Sequence, residues 1–358
     1  MPAVPPDTFE HSLRRDVPLR SLTTLELGGP ARYLIEAVDE ATVIRAVLWA
    51  NERQLPLIVL GGGSNVVVSD AGFDGLVVRM AIQGTAFGDD GTVYAAAGEP
   101  WDPFVEATVA RGWAGIECLA GIPGSVGATP IQNVGAYGQE VAETIRDVRV
   151  LDRATRAIVA LSAEECAFGY RDSLFRRNPD AYVVLGATFA LRPGGPPSMR
   201  YRELSDALAA VPHPSLATVS ATVRALRRKK SMVIDPSDPN RRSVGSFFTN
   251  PVLDAAAFAA LATRAVVAGV VAAPSDVPRF VAPDGKVKVP AAWLIERAGF
   301  TKGLRRGPVG ISSAHALALV HHGGGTTAAL RALAEEIRAA VDARFGVTLT
   351  VEPISLGC

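Results

Sequence analysis

The chain has 358 residues, 48% of them hydrophobic and 20% charged, enough for two or three domains with sizeable cores. Its 36 Lys and Arg balance 36 Asp and Glu, so the formal net charge is zero and no whole-chain basic footprint for nucleic acid or an anionic membrane exists. No segment offers about 18 uninterrupted apolar residues for a membrane span, and residues 1–17 carry charges and prolines where a signal sequence has an apolar core. The expectation is a soluble, cytoplasmic protein.

In chain order, residues 40–54 have helical spacing with Val43, Val47 and Ala50 on one face, and residues 55–60 read as a short buried strand. That strand runs into Gly61, Gly62, Gly63, Ser64 and Asn65. Glycines there let free amides approach a phosphate with no Cβ in between. The spacing is neither G-x-G-x-x-G nor G-x-x-x-x-G-K-[ST], which disfavours an ordinary Rossmann or P-loop site. A second run, at 119–138, brings Gly121, Gly124, Gly127, Gly135 and Gly138 together with Ser125, Thr129, Gln132 and Asn133. Such a surface suits a large anionic ligand, although a pair of tight turns is the plainer alternative.

Residues 148–151, 157–161 and 182–191 read as sheet strands, and the break at 192–197 is rich in Pro and Gly. The pattern is α+β rather than a regular βαβ wind. Residues 215–230 predict a helix ending in Arg227, Arg228, Lys229 and Lys230, either a solvated helix end or a phosphate clamp. A polar loop at 235–242 leads to the segment 243–251. Helices follow at 254–267, at 290–298 closed by Gly299, and at 326–345. The last has Leu330, Leu333, Ile337, Val341 and Phe345 at core spacing and ends at Gly346. Residues 347–351 read as a final strand carrying Glu352 and Pro353.

Cys118, Cys166 and Cys358 are odd in number and lack C-x-x-C spacing, which argues against a disulfide framework and a zinc site. His321 and His322, before three glycines, read as a solvated turn rather than a metal pair. No metal is expected.

Five motifs in register resemble the UDP-N-acetylenolpyruvoylglucosamine reductases (MurB, longer subtype), flavoenzymes of peptidoglycan precursor synthesis. They are Gly61 to Asn65, the glycine run 121–138, Tyr170-Arg-Asp-Ser173, Gly245-Ser-Phe-Phe-Thr-Asn-Pro251 and Glu352-Pro353. The resemblance spans nearly the whole chain. It implies an α+β fold with a two-part FAD-binding domain of the PCMH or vanillyl-alcohol-oxidase type and a C-terminal α+β substrate-binding domain. The expected boundaries are 1–77, joined by the terminal strand 346–358, then 78–227 for the flavin, and 228–345 for the substrate.

The resemblance further implies FAD as cofactor, NADPH as co-substrate and UDP-N-acetylglucosamine enolpyruvate as the substrate reduced to UDP-N-acetylmuramate. Hydride addition to the β-carbon leaves negative charge on the α-carbon and carboxylate, so the site needs a cationic stabiliser and a proton donor. Arg171 matches the family arginine that holds the carboxylate, Glu352 the late glutamate near it, and Ser246 the general acid. Flavin contacts fall on Gly61, Gly62, Gly63, Ser64 and Asn65, on Gly121, Ile122, Pro123, Gly124 and Ser125, and on Gly127 and Ala128. They continue over Gln132, Asn133, Gly135, Ala136 and Tyr137. Tyr170, Tyr201, Lys230, Asn250 and Glu296 are the expected contacts to the sugar nucleotide, Lys230 and Asn250 at its diphosphate and Tyr201 over the uridine. The protein is expected to be a monomer without nucleic-acid or membrane partners.

The chain departs from the pattern in two respects: Thr249, near Ser246, stands where many relatives carry lysine, and the segment 233–242 is longer than in some relatives. Read without the family, Arg171 is a surface ion-pair partner of Asp172, Ser246 a turn hydroxyl and Glu352 a solvated strand end. Two other functions stand as alternatives. Another FAD-dependent oxidase of the vanillyl-alcohol-oxidase type leaves the Arg171, Ser246 and Glu352 set unexplained, and a non-catalytic nucleotide-sugar sensor would be insensitive to loss of Ser246.

Overall fold

The computed structural model of the chain describes residues 6–282 and 285–357, with side chains from residue 9 onward. Cys358 therefore lies outside the described residues. Two compact units emerge. The first comprises residues up to Pro18 together with Pro30–Gly63 and Gly72–Ile234, and the second comprises Leu19–Gly29, Ser64–Ala71 and the residues from Asp235 onward.

The first unit contains two sheets. In one, the strands Arg14–Pro18, Pro30–Ala37, Phe73–Met80 and Leu57–Leu60 lie in that order, the outer pair at the Arg14 end antiparallel and the rest parallel. The helix Glu40–Glu52 makes the crossover. Asp39 caps it by accepting from the Thr42 amide at 2.7 Å, and it buries Val43, Ala46, Val47, Trp49 and Ala50. The strand expected at 55–60 is shorter, Leu57–Leu60, and lies at the sheet edge. Leu57 and Leu60 are buried but Val59 is exposed, because an edge strand has a partner on one side only.

The second sheet is antiparallel, with order Ile158–Ser162, Ile145–Asp152, Tyr182–Ala190, Thr92–Ala96 and Thr85–Phe87. The helix Trp101–Ala110 packs Trp101 and Phe104 against Phe189 of this sheet, with ring centroids 5.3 to 6.0 Å apart. The Trp101 indole N–H donates to the Leu119 carbonyl at 3.0 Å. Truncating a buried aromatic of this kind costs about 3–5 kcal/mol, so the segment entering the second glycine run is anchored to the aromatic core through Trp101.

The second unit has its own core, built on the helix Thr327–Phe345. All five apolar positions expected to be core, Leu330, Leu333, Ile337, Val341 and Phe345, are buried. Thr326 caps its start and Gly346, at φ 69°, closes its end in the left-handed conformation. Around it lie the helices Ala255–Val267 and Ala291–Arg297 and a sheet of Arg305–Arg306, Val309–Ile311 and Leu319–His321.

The last segment departs from expectation. Residues 347–351 are extended but bridge only Val351 to Phe248, and the true final strand is Ile354–Leu356, paired in parallel with Val66–Val68. Val347 and Leu349 are buried, so the alternation was real. It marks an extended chain without a continuous ladder. The terminal strand pairs with residues inside the expected 1–77 segment, and those residues lie in Ser64–Ala71, which clusters with the second unit. The expected boundary at 77/78 falls within the strand Phe73–Met80 and that at 227/228 within the helix Leu216–Lys229.

Candidate functional site

The two glycine runs meet inside the first unit. A Cβ on Gly62 would lie 2.8 Å from the Gly124 Cα, and one on Gly61 would lie 2.6 Å from the Ser125 hydroxyl. Backbone thus presses on backbone, which only glycine permits at Gly62. Among the described residues the amides of Gly62, Gly63, Gly124 and Ser125 make no hydrogen bond, while their neighbours Val126, Gly127 and Ala128 are bonded to Glu99, Ala97 and Ser125. Unengaged amides in two closely approaching glycine turns donate to no protein group and are available to an anion. Gly127 has a different cause, since a Cβ there would come within 2.5 Å of the Ala97 Cβ. Ala128 lies beside Gly61, Ile122 packs on the first core, and Pro123 joins it to Gly124.

Gly121 is held from both sides. Its amide donates to Asp102 at 2.6 Å and its carbonyl accepts from the Arg227 guanidinium at 3.2 Å. Arg227 also donates to the Met232 carbonyl, and burial draws its pKa down to about 10. Of the basic run at the end of the helix Leu216–Lys229, Arg227 is therefore a structural clamp, Arg228 and Lys229 are exposed, and Lys230 faces another group. A charge run reads the same whichever way its side chains turn.

Arg171 is not the ion-pair partner of Asp172, which pairs with Arg177 instead. It sits in a tight turn closed by reciprocal Gly169 and Asp172 backbone bonds, at φ 54°, an uncommon conformation for a side-chain-bearing residue. Its guanidinium donates to the carbonyls of Asn133 and Gly135, stands 3.8 Å from Glu140, and lies 5.3 Å from the centre of the Tyr170 ring. The Asn133 side chain is fully used within the protein, donating to Glu140 and Gly169 and accepting from Ala142. Gln132 accepts from Arg176 at 3.1 Å. Gly135 and Ala136 pair with Glu140 and Gln139 in a short ladder that carries the chain around Arg171.

Tyr137, Tyr201 and Lys230 converge. Tyr137 is buried at φ 47°, its ring meets Tyr201 edge-on at 5.2 Å, and the Lys230 ammonium stands 5.5 Å from its centre. Lys230 is ion-paired with Glu203, two residues beyond Tyr201. Burial and the nearby Glu203 carboxylate raise both tyrosine pKa values, so both rings stay neutral.

The second unit gathers the remaining expected residues. Glu352 donates its amide to the Phe247 carbonyl and Thr249 donates to Thr350, around the bridge of Phe248 to Val351. This register sets Glu352 opposite Phe247 and next to Ser246. Ser246 follows Gly245, whose φ of 71° turns the chain, and its hydroxyl makes no hydrogen bond among the described residues. Asn250 accepts from the Ala291 amide at 2.8 Å, which caps the helix Ala291–Arg297 and leaves the Nδ2 protons to donate. Glu296 is exposed on that helix. Ser64 and Asn65 belong to this unit, where the Asn65 carbonyl accepts from Ile354.

The two histidines are not a solvated turn. His321 ends the strand Leu319–His321 buried, its Nε2 accepting from the Gly325 amide at 3.0 Å and its Nδ1 facing the Leu25 carbonyl at 3.3 Å. Burial lowers its pKa and that of His322. Two glycine-linked turns mimic a solvated loop in sequence, while the packing of Leu25 is not visible there. Burial also pushes the Cys118 and Cys166 thiols up to about 12, so neither is a nucleophile. Among the described residues no three His, Cys, Asp or Glu side chains gather to hold a metal, and no helix is long and apolar enough to cross a membrane.

Asp102, Glu140, Glu203 and Arg227 in its clamping role were missed in sequence. Each acts through a partner distant along the chain, and none has a spacing signal of its own.

An FAD binding domain profile matches residues 31–161, and the C-terminal domain of UDP-N-acetylenolpyruvoylglucosamine reductase matches residues 236–356. A UDP-N-acetylenolpyruvoylglucosamine reductase from Streptomyces coelicolor is 50% identical, over 96% of this chain and 90% of its own length. One from Thermobifida fusca is 48% identical over 97% and 98%. The crystal structure of UDP-N-acetylenolpyruvylglucosamine reductase (MurB) from Thermus caldophilus superposes with a TM-score of 0.67 at 25% identity, covering 96% of this chain and 99% of that one.

Proposed function

The chain belongs to the UDP-N-acetylenolpyruvoylglucosamine reductase family, and from that membership we propose that it reduces UDP-N-acetylglucosamine enolpyruvate to UDP-N-acetylmuramate for peptidoglycan synthesis. The observation that carries the reading is the contact of Gly62 with Gly124, beside amides left without partners. The chemistry that FAD supplies when bound is hydride transfer, from NADPH to the β-carbon of the enolpyruvyl ether.

The chain's own residues do the rest. The amides of Gly62, Gly63, Gly124 and Ser125 hold the FAD diphosphate. Arg171, preorganised by two carbonyls and permanently charged, holds the substrate carboxylate and stabilises the negative charge that grows on it. Ser246 delivers a proton to the α-carbon, and Glu352, one register position away, orients that donor or shares its proton with the carboxylate. Lys230 and the Asn250 Nδ2 bind the sugar-nucleotide diphosphate, Tyr201 covers the uridine, and Glu296 faces the sugar nucleotide. NADPH and the sugar nucleotide use one place in turn, giving ping-pong kinetics. The protein works in the cytoplasm as a monomer, without nucleic acid or membrane.

A Ser246→Ala variant tests the assignment. It should keep its flavin absorbance and its reduction by NADPH, while turnover of the enolpyruvyl substrate falls by about 10²- to 10⁴-fold, the usual worth of a positioned acid. Turnover at the parent rate would remove Ser246 from the proton path.

A further inference from the structure

Lys230, at its helix end, stands 5.5 Å from the centre of the Tyr137 ring, and it is already engaged. Its ammonium pairs with Glu203, in the first turn of the short helix Arg202–Ala207, for which Tyr201 is the N-cap residue. That helix is anchored by Leu204, fully buried, and by the Ser205 hydroxyl, which donates to the Met199 carbonyl at 2.7 Å. Its anchor and its carboxylate therefore do different jobs. Leu204 fixes the helix, while Glu203 stands half-exposed with its one cationic partner, the side chains of Lys230 and Glu203 being 29% and 39% accessible.

We propose that Glu203 is the resident counter-ion of Lys230, which the diphosphate of an incoming nucleotide displaces. This rests on the reading of Lys230 as a diphosphate contact. In the free protein the carboxylate keeps the ammonium beside the Tyr137 ring, pointing it without a bound anion. A diphosphate carries more charge than a carboxylate and outcompetes it. Partly exposed ion pairs are weak, so the exchange is easy, yet each binding event must first break the pair. Apparent affinity is reduced by the fraction of protein in which Lys230 is engaged. Glu203 is thus a tuning residue.

The test is a double-mutant cycle on the FAD-loaded protein, read by calorimetric titration with UDP. Glu203→Gln keeps the shape and removes the charge, and it should tighten UDP binding by about three- to fivefold, the scale of a partly exposed pair. Lys230→Met should weaken UDP binding in either background, and in the Lys230→Met background Glu203→Gln should change nothing further. Unchanged or weaker binding in Glu203→Gln alone would overturn the role of Glu203. So would an equal gain with and without Lys230, which would reduce it to a general charge effect. If Lys230→Met left UDP affinity intact, the assignment of Lys230 to the diphosphate would fall first. Flavin absorbance and melting temperature, unchanged in Glu203→Gln, show that the variant is folded, and Glu203→Ser repeats the charge removal should the amide make a new bond.

Discussion

Gly62 illustrates how a single position can be dictated by a neighbour far along the chain. A Cβ on it would stand 2.8 Å from the Gly124 Cα, and since that neighbour is backbone the loops would have to part. Gly62→Ala should therefore yield a folded protein with a much lower ratio of flavin to polypeptide after purification, measured by absorbance. A full complement of flavin would mean that the contact does not shape the cofactor cradle. The glycines were legible because composition alone marks them. Asn133 shows a side-chain role that its sequence neighbours do not reveal. It sits among those glycines and reads as a ligand contact, yet its amide is spent on Glu140, Gly169 and Ala142. Side-chain commitment of that kind depends on three segments meeting, which no local pattern records.

Helices were read more faithfully than extended segments. Leu330 to Phe345 fixes a helix face by a period that solvent and core enforce together, so burial followed the pattern. Residues 347–351 show the limit, because alternation specifies an extended chain but not whether a neighbour supplies a ladder. The strand Leu319–His321 carries a consequence for pH. His321 is buried with Nε2 accepting from Gly325, facing Leu25, Arg242, Glu26 and His322, and burial holds its folded pKa below the ordinary 6.5. The unfolded chain therefore binds the proton more readily. Stability contributed by the neutral ring is complete above the ordinary value and is lost as pH falls from about 6.5 toward the lower folded value, below which the loss stops growing. The melting temperature should drop between pH 7 and pH 5, and His321→Gln, which retains an acceptor, should flatten that drop. An identical slope in the variant would place the proton uptake elsewhere, His322 included.

Across the molecule, the charges cancel and the chemistry is concentrated in few places. The balance of 36 cations and 36 anions says nothing about where Arg171 or Lys230 sit. What could be read was the order of five motifs, because each is short and rigid. What could not was their long-range support, such as Asp102 and Arg227 on either side of Gly121 and Glu203 on Lys230. The first unit supplies the glycine cradle, Arg171 and Lys230, and the second supplies Ser246, Asn250 and Glu352. The proposed reaction draws on residues of each unit. Its most direct test is anaerobic absorbance of the purified protein near the flavin maximum, first with NADPH and then with UDP-N-acetylglucosamine enolpyruvate. The account predicts bleaching by NADPH, followed by recovery of the yellow colour in proportion to the enolpyruvyl substrate added. Bleached flavin that stays bleached with that substrate, and recovers only when air is admitted, would contradict it.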